Sequence, residues 1–283
     1  MMALSYKEFS VLDDADYIEI CNLVLPWIFN KLNVSSLLEF DELGAQSIEN
    51  VDLDIRYEMN IMTSIDYYLR RLITKLYGPV LFLQFPANIR VAGSEVPQGY
   101  MTKDYVTDRI HCDCWSQAPA DSFNLFLYLH YRPGRPSLDF FTVPDSELPQ
   151  LFSYKGPYSS APCLTFQKID TTPDSGQLYI FPTQTPHQTN RGEFGLRISL
   201  DARFRPLQHD FTTTPLFQEL LHDYWLENRM TSLGVYWLFS DKTHFTLNEK
   251  IIDELTLSQA FDMRYHQKRL EYLDKFYSSW MPD

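Results

Sequence analysis

His111 and Asp113 stand two positions apart in the run Arg109-Ile110-His111-Cys112-Asp113-Cys114-Trp115. On an extended strand, residues i and i+2 point to one face. An imidazole and a carboxylate on one face can share a metal ion, with Cys112 turned the other way. A second histidine would complete a facial set of two His and one carboxylate, which suits a non-haem iron and leaves three positions open.

His187 is the candidate for that second histidine. It follows Pro186, just after the strand-like run Gln177-Leu178-Tyr179-Ile180-Phe181-Pro182. The separation from His111 leaves room for several strands, and a β core can bring distant strands around one cavity.

Arg197 comes ten residues later, in Gly195-Leu196-Arg197-Ile198-Ser199-Leu200-Asp201. Arg197, Ser199 and Asp201 share one face of a strand. A buried guanidinium is costly unless its charge is paired. A dicarboxylic cosubstrate can pair it bidentately, with the Ser199 hydroxyl assisting; an ion pair with Asp201 or Glu193 is the structural alternative.

Other residues near these have weaker claims. Trp115 either walls a pocket or packs in the core. Asn124 either bonds a cosubstrate or ligand histidine or satisfies backbone. Asn190 and Arg191 follow His187 closely enough to reach a substrate. Arg90, Gln98, Tyr100 and Lys103 precede the motif, in a stretch that reads as a loop or a lid. A zinc site built from His111, Cys112 and Cys114 is disfavoured, because Cys112 faces away from His111 and no second Cys/His pair has finger-like spacing.

The elements that must position these residues change period along the chain. Residues 1–79 read as helical. Asp13 to Leu32 has a stripe at Ile18, Cys21, Leu25 and Ile28, with Pro26 expected to kink or break it. Leu37 to Val51 reads as a loop with a short helical turn. Ile55 to Tyr77 is the strongest helix, its face made by Ile55, Met59, Met62, Leu69, Leu72, Ile73 and Leu76, capped by Asp54 and stopped by Gly78-Pro79. From residue 80 the period is two. Val80–Phe85, Asn88–Ala92, Phe123–Tyr131, Leu138–Val143, Gln177–Phe181 and Leu196–Phe204 read as strands separated by Pro/Gly/Asp turns. Strands without alternating helices favour an antiparallel sandwich or barrel. After Pro206 the helical period returns, over Pro215–Asn228 and Asn248–Tyr277, with an aromatic stripe at 235–239. The chain is thus expected to be one domain over 1–283: a helical part at 1–79, a β core at 80–206 and a helical part at 207–283.

Bulk properties narrow the class. The 283 residues are 45% hydrophobic, enough for one large core. The net charge of -13, with no basic run, predicts neither nucleic acid nor an anionic membrane surface as partner. Four scattered cysteines, two of them flanking Asp113, read as reduced thiols and predict a cytoplasmic protein. The N-terminus has no apolar signal region, and no window is apolar enough to span a bilayer. The oligomeric state is left open, with a homodimer one option.

His111-x-Asp113, His187 and Arg197-x-Ser199, in that order, resemble the Fe(II)/2-oxoglutarate-dependent dioxygenase superfamily, over about residues 80 to 206. Within it the likeness is to the phytanoyl-CoA dioxygenase-like group and to small-molecule biosynthetic oxygenases. The run His111-x-Asp113-x-Trp115, with Asn124 beyond it, is similar to oxygenases of carbohydrate and aminoglycoside biosynthesis. The resemblance implies a double-stranded β-helix, a jelly-roll core with helices at both ends. It implies Fe(II) on His111, Asp113 and His187. It also implies 2-oxoglutarate held by Arg197 and Ser199, and O₂ as the second cosubstrate. The reaction implied is hydroxylation of a small metabolite, with 2-oxoglutarate decarboxylated to succinate. The carboxylate of Asp113 occupies the position that family halogenases leave open for halide. A peptide or protein hydroxylase, and a non-catalytic jelly-roll binding module, are the alternatives.

Overall fold

The computed structural model describes residues 6–49, 51–53, 55, 58–78, 80–84, 87–95, 101, 103–116 and 122–206. The helices expected at Pro215–Asn228 and Asn248–Tyr277, and the aromatic stripe at 235–239, lie outside the described residues, as do Asp54, Gln98 and Tyr100. The chain divides into two units. The first holds the described residues of 1–14, 25–53 and 89–201; the second holds those of 15–24, 54–88 and 202–283.

The first unit is built from antiparallel strands. They are β1 (Lys7–Ser10), β3 (Asn88–Gly93), β4 (Phe123–His130), β5 (Ser137–Thr142), β6 (Gln167–Ile169), β7 (Gln177–Pro182), β8 (His187–Asn190) and β9 (Leu196–Pro206), the last continuing into the second unit. One sheet runs β1-β7-β4-β9, with β3 also on β9; the smaller sheet runs β6-β5-β8. The chain crosses between the two at nearly every step: β4 in the large sheet, β5 and β6 in the small, β7 large, β8 small, β9 large. This weave is the jelly roll, or double-stranded β-helix.

Alternation along the strands fills the space between the sheets. Phe126 lies opposite Tyr179, and Asn124 opposite Phe181, in the β4–β7 register. Partners opposite one another project to the same side. Phe140 of the small sheet meets Tyr179 and Phe181 across the gap, at ring centroid distances of 5.3 and 4.9 Å. Phe126, Tyr128, Tyr131, Leu138, Phe140, Tyr179 and Phe181 form one buried cluster. Strand β4 is buried on both faces, so its sequence Phe-Asn-Leu-Phe-Leu-Tyr-Leu-His runs nearly unbroken apolar rather than alternating with polar residues.

Helix α2 (Leu37–Asp41) is tied to this unit by a charged knot. Asp41 Oδ1 accepts from His130 Nε2 at 2.7 Å and from Arg135 Nη2 at 3.0 Å, and Oδ2 pairs with Arg132. Burial pulls the Arg135 guanidinium below its ordinary value, and the Asp41 carboxylate opposes that shift.

In the second unit, α3 (Met59–Leu76) buries Met62, Ile65, Leu69, Leu72 and Ile73. It starts at Met59 rather than Ile55. Strand β2 (Val80–Leu83) pairs with the end of β9, at Pro206, Arg205 and Phe204.

Helix α1 (Ala15–Leu32) buries Tyr17, Ile20, Val24 and Ile28, while Ile18 is exposed. The buried stripe is therefore offset from the one expected through Ile18, Cys21 and Leu25. Apolar residues flank both stripes, so periodicity alone does not fix the phase. The buried Asp16 does, by pairing with Lys75 Nζ at 2.5 Å and Arg71 Nε at 3.3 Å. Pro26 does not break the helix. It lies on the exposed side, as does Asn22, so the backbone hydrogen bond that proline forgoes is on a face open to solvent.

Three strands carry no signal in the sequence reading: β1, β6 and β8. All are three or four residues long and mostly polar, so neither alternation nor an apolar run marks them as it marks the equally short β2. Among the described residues, no helix is long and apolar enough to cross a membrane.

Candidate metal centre

His111 and His187 reach one another through the backbone. Each donates its amide to the other's carbonyl, at 2.9 Å both ways, as an isolated antiparallel bridge. His187 opens β8 and lies opposite Phe140 of β5. Asp113 does not sit on a strand with His111. It opens a 3-10 turn, Asp113–Ser116, so the convergence comes from a bridge followed by a turn and not from a shared strand face.

That turn is docked on the loop before β8. Cys114 N–H donates to Thr183 O at 3.1 Å, and Cys112 Sγ donates to Gln184 O at 3.1 Å. From the other side, Lys155 Nζ donates to Cys114 O at 2.6 Å, and Gly156 N–H to Trp115 O at 2.9 Å. Cys112 thus donates to a backbone carbonyl and Cys114 is enclosed in the core, and neither joins the His111, Asp113 and His187 cluster.

The result is a compact, buried ligand set. One nitrogen or oxygen from each of His111, Asp113 and His187 lies within 4.8 Å of the other two. His111 Nε2 is 3.9 Å from Asp113 Oδ1, and His187 Nε2 is 4.0 Å from Asp113 Oδ2. Both imidazoles have their tautomer set by the backbone. His111 Nδ1 lies 2.8 Å from Arg109 O and His187 Nδ1 2.9 Å from Thr185 O. A carbonyl only accepts, so each Nδ1 carries the hydrogen. In the neutral ring this leaves the Nε2 lone pair directed at Asp113. Two imidazole nitrogens and a carboxylate oxygen suit a divalent iron and leave part of its coordination sphere open.

Arg197 lies on β9, buried, over the ring of Phe126 at 5.1 Å and of Tyr128 at 6.0 Å. Its Nε and Nη1 have no hydrogen-bond partner. Asp201, the ion-pair alternative, is held instead by Arg90, whose Nε bonds Asp201 Oδ1 at 2.5 Å. Burial pushes the Arg197 guanidinium below its ordinary value. Tyr128 and Asp201 oppose this, while Arg90 and Arg191 reinforce it. The group still stays protonated at neutral pH. Ser199 Oγ, on the same strand face, and Asn124 Nδ2 are also buried without a partner. A buried cation with two unused donor positions, beside a hydroxyl and an amide in the same condition, fits an anionic ligand with carboxylate geometry.

The metal ligands and Arg197 border one aromatic cluster. Arg197 covers it at Phe126, and His187 meets it edge-on at Phe181, with ring centroids 5.0 Å apart.

The remaining sequence candidates have other employment. Trp115 is enclosed, its Nε1 donating to Leu151 O at 2.8 Å, so it packs the core behind the site instead of walling it. Asn190 Nδ2 donates to Asp139 at 3.1 Å, and Arg191 Nε to Asp108 at 2.8 Å. One residue at the centre gave no sequence signal. Tyr158, in a short 3-10 turn, stacks on the His111 ring at 4.3 Å and 25°. It lies 45 positions from Asp113, with no periodicity linking the two.

No protein-family model and no curated protein matches the chain. Solved structures do. AviO1 from Streptomyces viridochromogenes Tue57 is 12% identical over 71% of this chain and 89% of its own, with a TM-score of 0.39. The epimerase SnoN from nogalamycin biosynthesis, solved with Fe3+, alpha ketoglutarate and nogalamycin RO, is 15% identical over 74% and 84%, with a TM-score of 0.40. EctD from S. alaskensis, solved with 2-oxoglutarate and 5-hydroxyectoine, is 12% identical over 71% and 72%, with a TM-score of 0.39. These are proteins the chain is similar to.

Proposed function

We propose that the protein is an Fe(II)/2-oxoglutarate-dependent oxygenase that hydroxylates a small metabolite, with its described parts belonging to one oxygenase domain. The observation that carries this reading is the buried set of His111, Asp113 and His187, with both imidazoles locked to present Nε2. Iron bound there supplies the activation of O₂ and the decarboxylation of 2-oxoglutarate to succinate.

The chain's own residues have separable tasks. His111, Asp113 and His187 hold the metal from one side. Arg197 and Ser199 would take the distal carboxylate of 2-oxoglutarate through the donors they leave unused, and Asn124 would offer its amide to the same cosubstrate. The rings of Phe126, Tyr128, Phe140, Tyr179 and Phe181 exclude water around that anion, which strengthens its pairing with Arg197. Asp113 fills the position that a halide would need, which supports hydroxylation over halogenation. A biosynthetic substrate of carbohydrate or natural-product type is the class the motif resembles.

The test is anaerobic titration of the full chain with Fe(II) and then 2-oxoglutarate. A weak visible metal-to-ligand charge-transfer band is expected, lost in His111→Ala and Asp113→Ala. A wild type that shows neither the band nor 2-oxoglutarate binding overturns the reading.

A further inference from the structure

We infer that Tyr158 is a positioning residue of the metal centre: its ring steadies the His111 imidazole, and its hydroxyl stands within reach of one Asp113 oxygen, which biases the carboxylate to offer the other to the metal. The inference deepens the proposed function and rests on it.

Three contacts converge on this side chain. Its ring lies on the His111 imidazole at 4.3 Å and 25°. Its hydroxyl is 3.5 Å from Asp113 Oδ1 and 3.1 Å from Ser116 Oγ. It is itself buried. The His111 Nδ1 bond to Arg109 O fixes the tautomer. The phenol ring stacked on the imidazole face further restricts its rotation.

The hydroxyl answers a different need. Asp113 offers an oxygen to each imidazole at nearly equal range, 3.9 and 4.0 Å. Nothing in that geometry stops the carboxylate from gripping a metal with both oxygens. A two-oxygen grip would take a coordination position needed by 2-oxoglutarate or O₂. A donor on Oδ1 competes for its lone pairs and disfavours that grip. Tyr158 is placed to be this donor. Ser116 Oγ gives its own proton to Asp113 O at 2.9 Å, so toward Tyr158 it can only accept. The single phenolic proton therefore has two acceptors in reach, the nearer Ser116 Oγ at 3.1 Å and Asp113 Oδ1 at 3.5 Å. A carboxylate outranks a hydroxyl in that contest.

The experiment compares wild type, Tyr158→Phe and Tyr158→Leu by anaerobic Fe(II) titration, by the position of the 2-oxoglutarate charge-transfer band and by thermal unfolding without metal. Phe keeps the stack and removes the donor. The expected result is about a 10-fold weaker Fe(II) affinity and a displaced band, with metal-free unfolding lowered only by the loss of the Ser116 hydrogen bond. Leu also removes the stack, and Fe(II) affinity should fall by about 100-fold. If wild type binds Fe(II), and both variants match it in affinity and band position, this inference fails and the oxygenase reading stands. If wild type binds no Fe(II), both fail.

Discussion

His111 and His187 exchange both backbone hydrogen bonds, each 2.9 Å long, although 75 residues separate them. The bridge makes the metal centre part of the sheet architecture, not a loop resting on it. The two imidazoles, 4.3 Å apart between ring centroids, are brought side by side by this bridge. Each single-ligand variant should therefore fold and fail at the metal. His111→Ala, Asp113→Ala and His187→Ala are expected to keep the far-ultraviolet circular dichroism of wild type. Each should lose more than about 100-fold in Fe(II) affinity, beyond what loss of an outer-sphere partner costs. Calorimetric titration reads both the loss and any residual site.

Arg197 is buried with Nε and Nη1 unpartnered, a cost the protein bears when no anion is bound. Replacing such a charge by an apolar side chain of similar size is neutral or stabilising, by about 1–4 kcal/mol. Arg197→Met should thus unfold at the same temperature as wild type or higher when 2-oxoglutarate is absent. Relative to the Fe(II)-loaded protein, the cosubstrate at 100 times its wild-type Kd should stabilise wild type by about 2.7 kcal/mol and the variant far less. A variant that loses stability without ligand, yet keeps the ligand-induced gain, would assign Arg197 to structure.

Asp41 joins helix α2 to His130, Arg132 and Arg135. Asp41→Ala leaves the Arg135 guanidinium buried without its carboxylate. The expected loss is about 3 kcal/mol in urea unfolding, with Fe(II) binding retained in the folded fraction. A loss under about 0.5 kcal/mol would show that the Arg135 bonds to Leu196 O and Asp41 O suffice to hold it.

The four cysteines differ in reach. Cys163 is exposed, while Cys112 and Cys114 are buried. Burial pushes the Cys21 thiol up to about 11, with the Tyr17 hydrogen bond opposing it, so little thiolate forms near neutral pH. One thiol should react rapidly with an alkylating reagent at pH 7.5, and mass spectrometry should place the label on Cys163. The other three should react at least about 10-fold more slowly until the chain is unfolded. Rapid labelling of Cys112 or Cys114 in the native protein would show that the 3-10 turn carrying Asp113 opens readily.

The residue types of the site were legible because its chemistry is written in side chains. Two histidines, a carboxylate, an arginine and a serine stand in an order that suits an iron and an anion, and six strands are marked by apolar runs or alternation bounded by turn residues. Neither the phase of α1 nor the tolerance of Pro26 was legible. The first is decided by the buried Asp16 and its partners, and the second by which side of the helix meets water.

By itself the sequence determined which groups are available and which segments are strand-like, since both follow from side-chain chemistry and local periodicity. Only the tertiary structure decided how the groups meet. It put Asp113 on a 3-10 turn and not on a strand, enclosed Trp115, and engaged Asn190 and Arg191 elsewhere. It also laid Tyr158 on His111. Each of these depends on contacts between segments tens of residues apart, and no local pattern in the chain encodes such contacts.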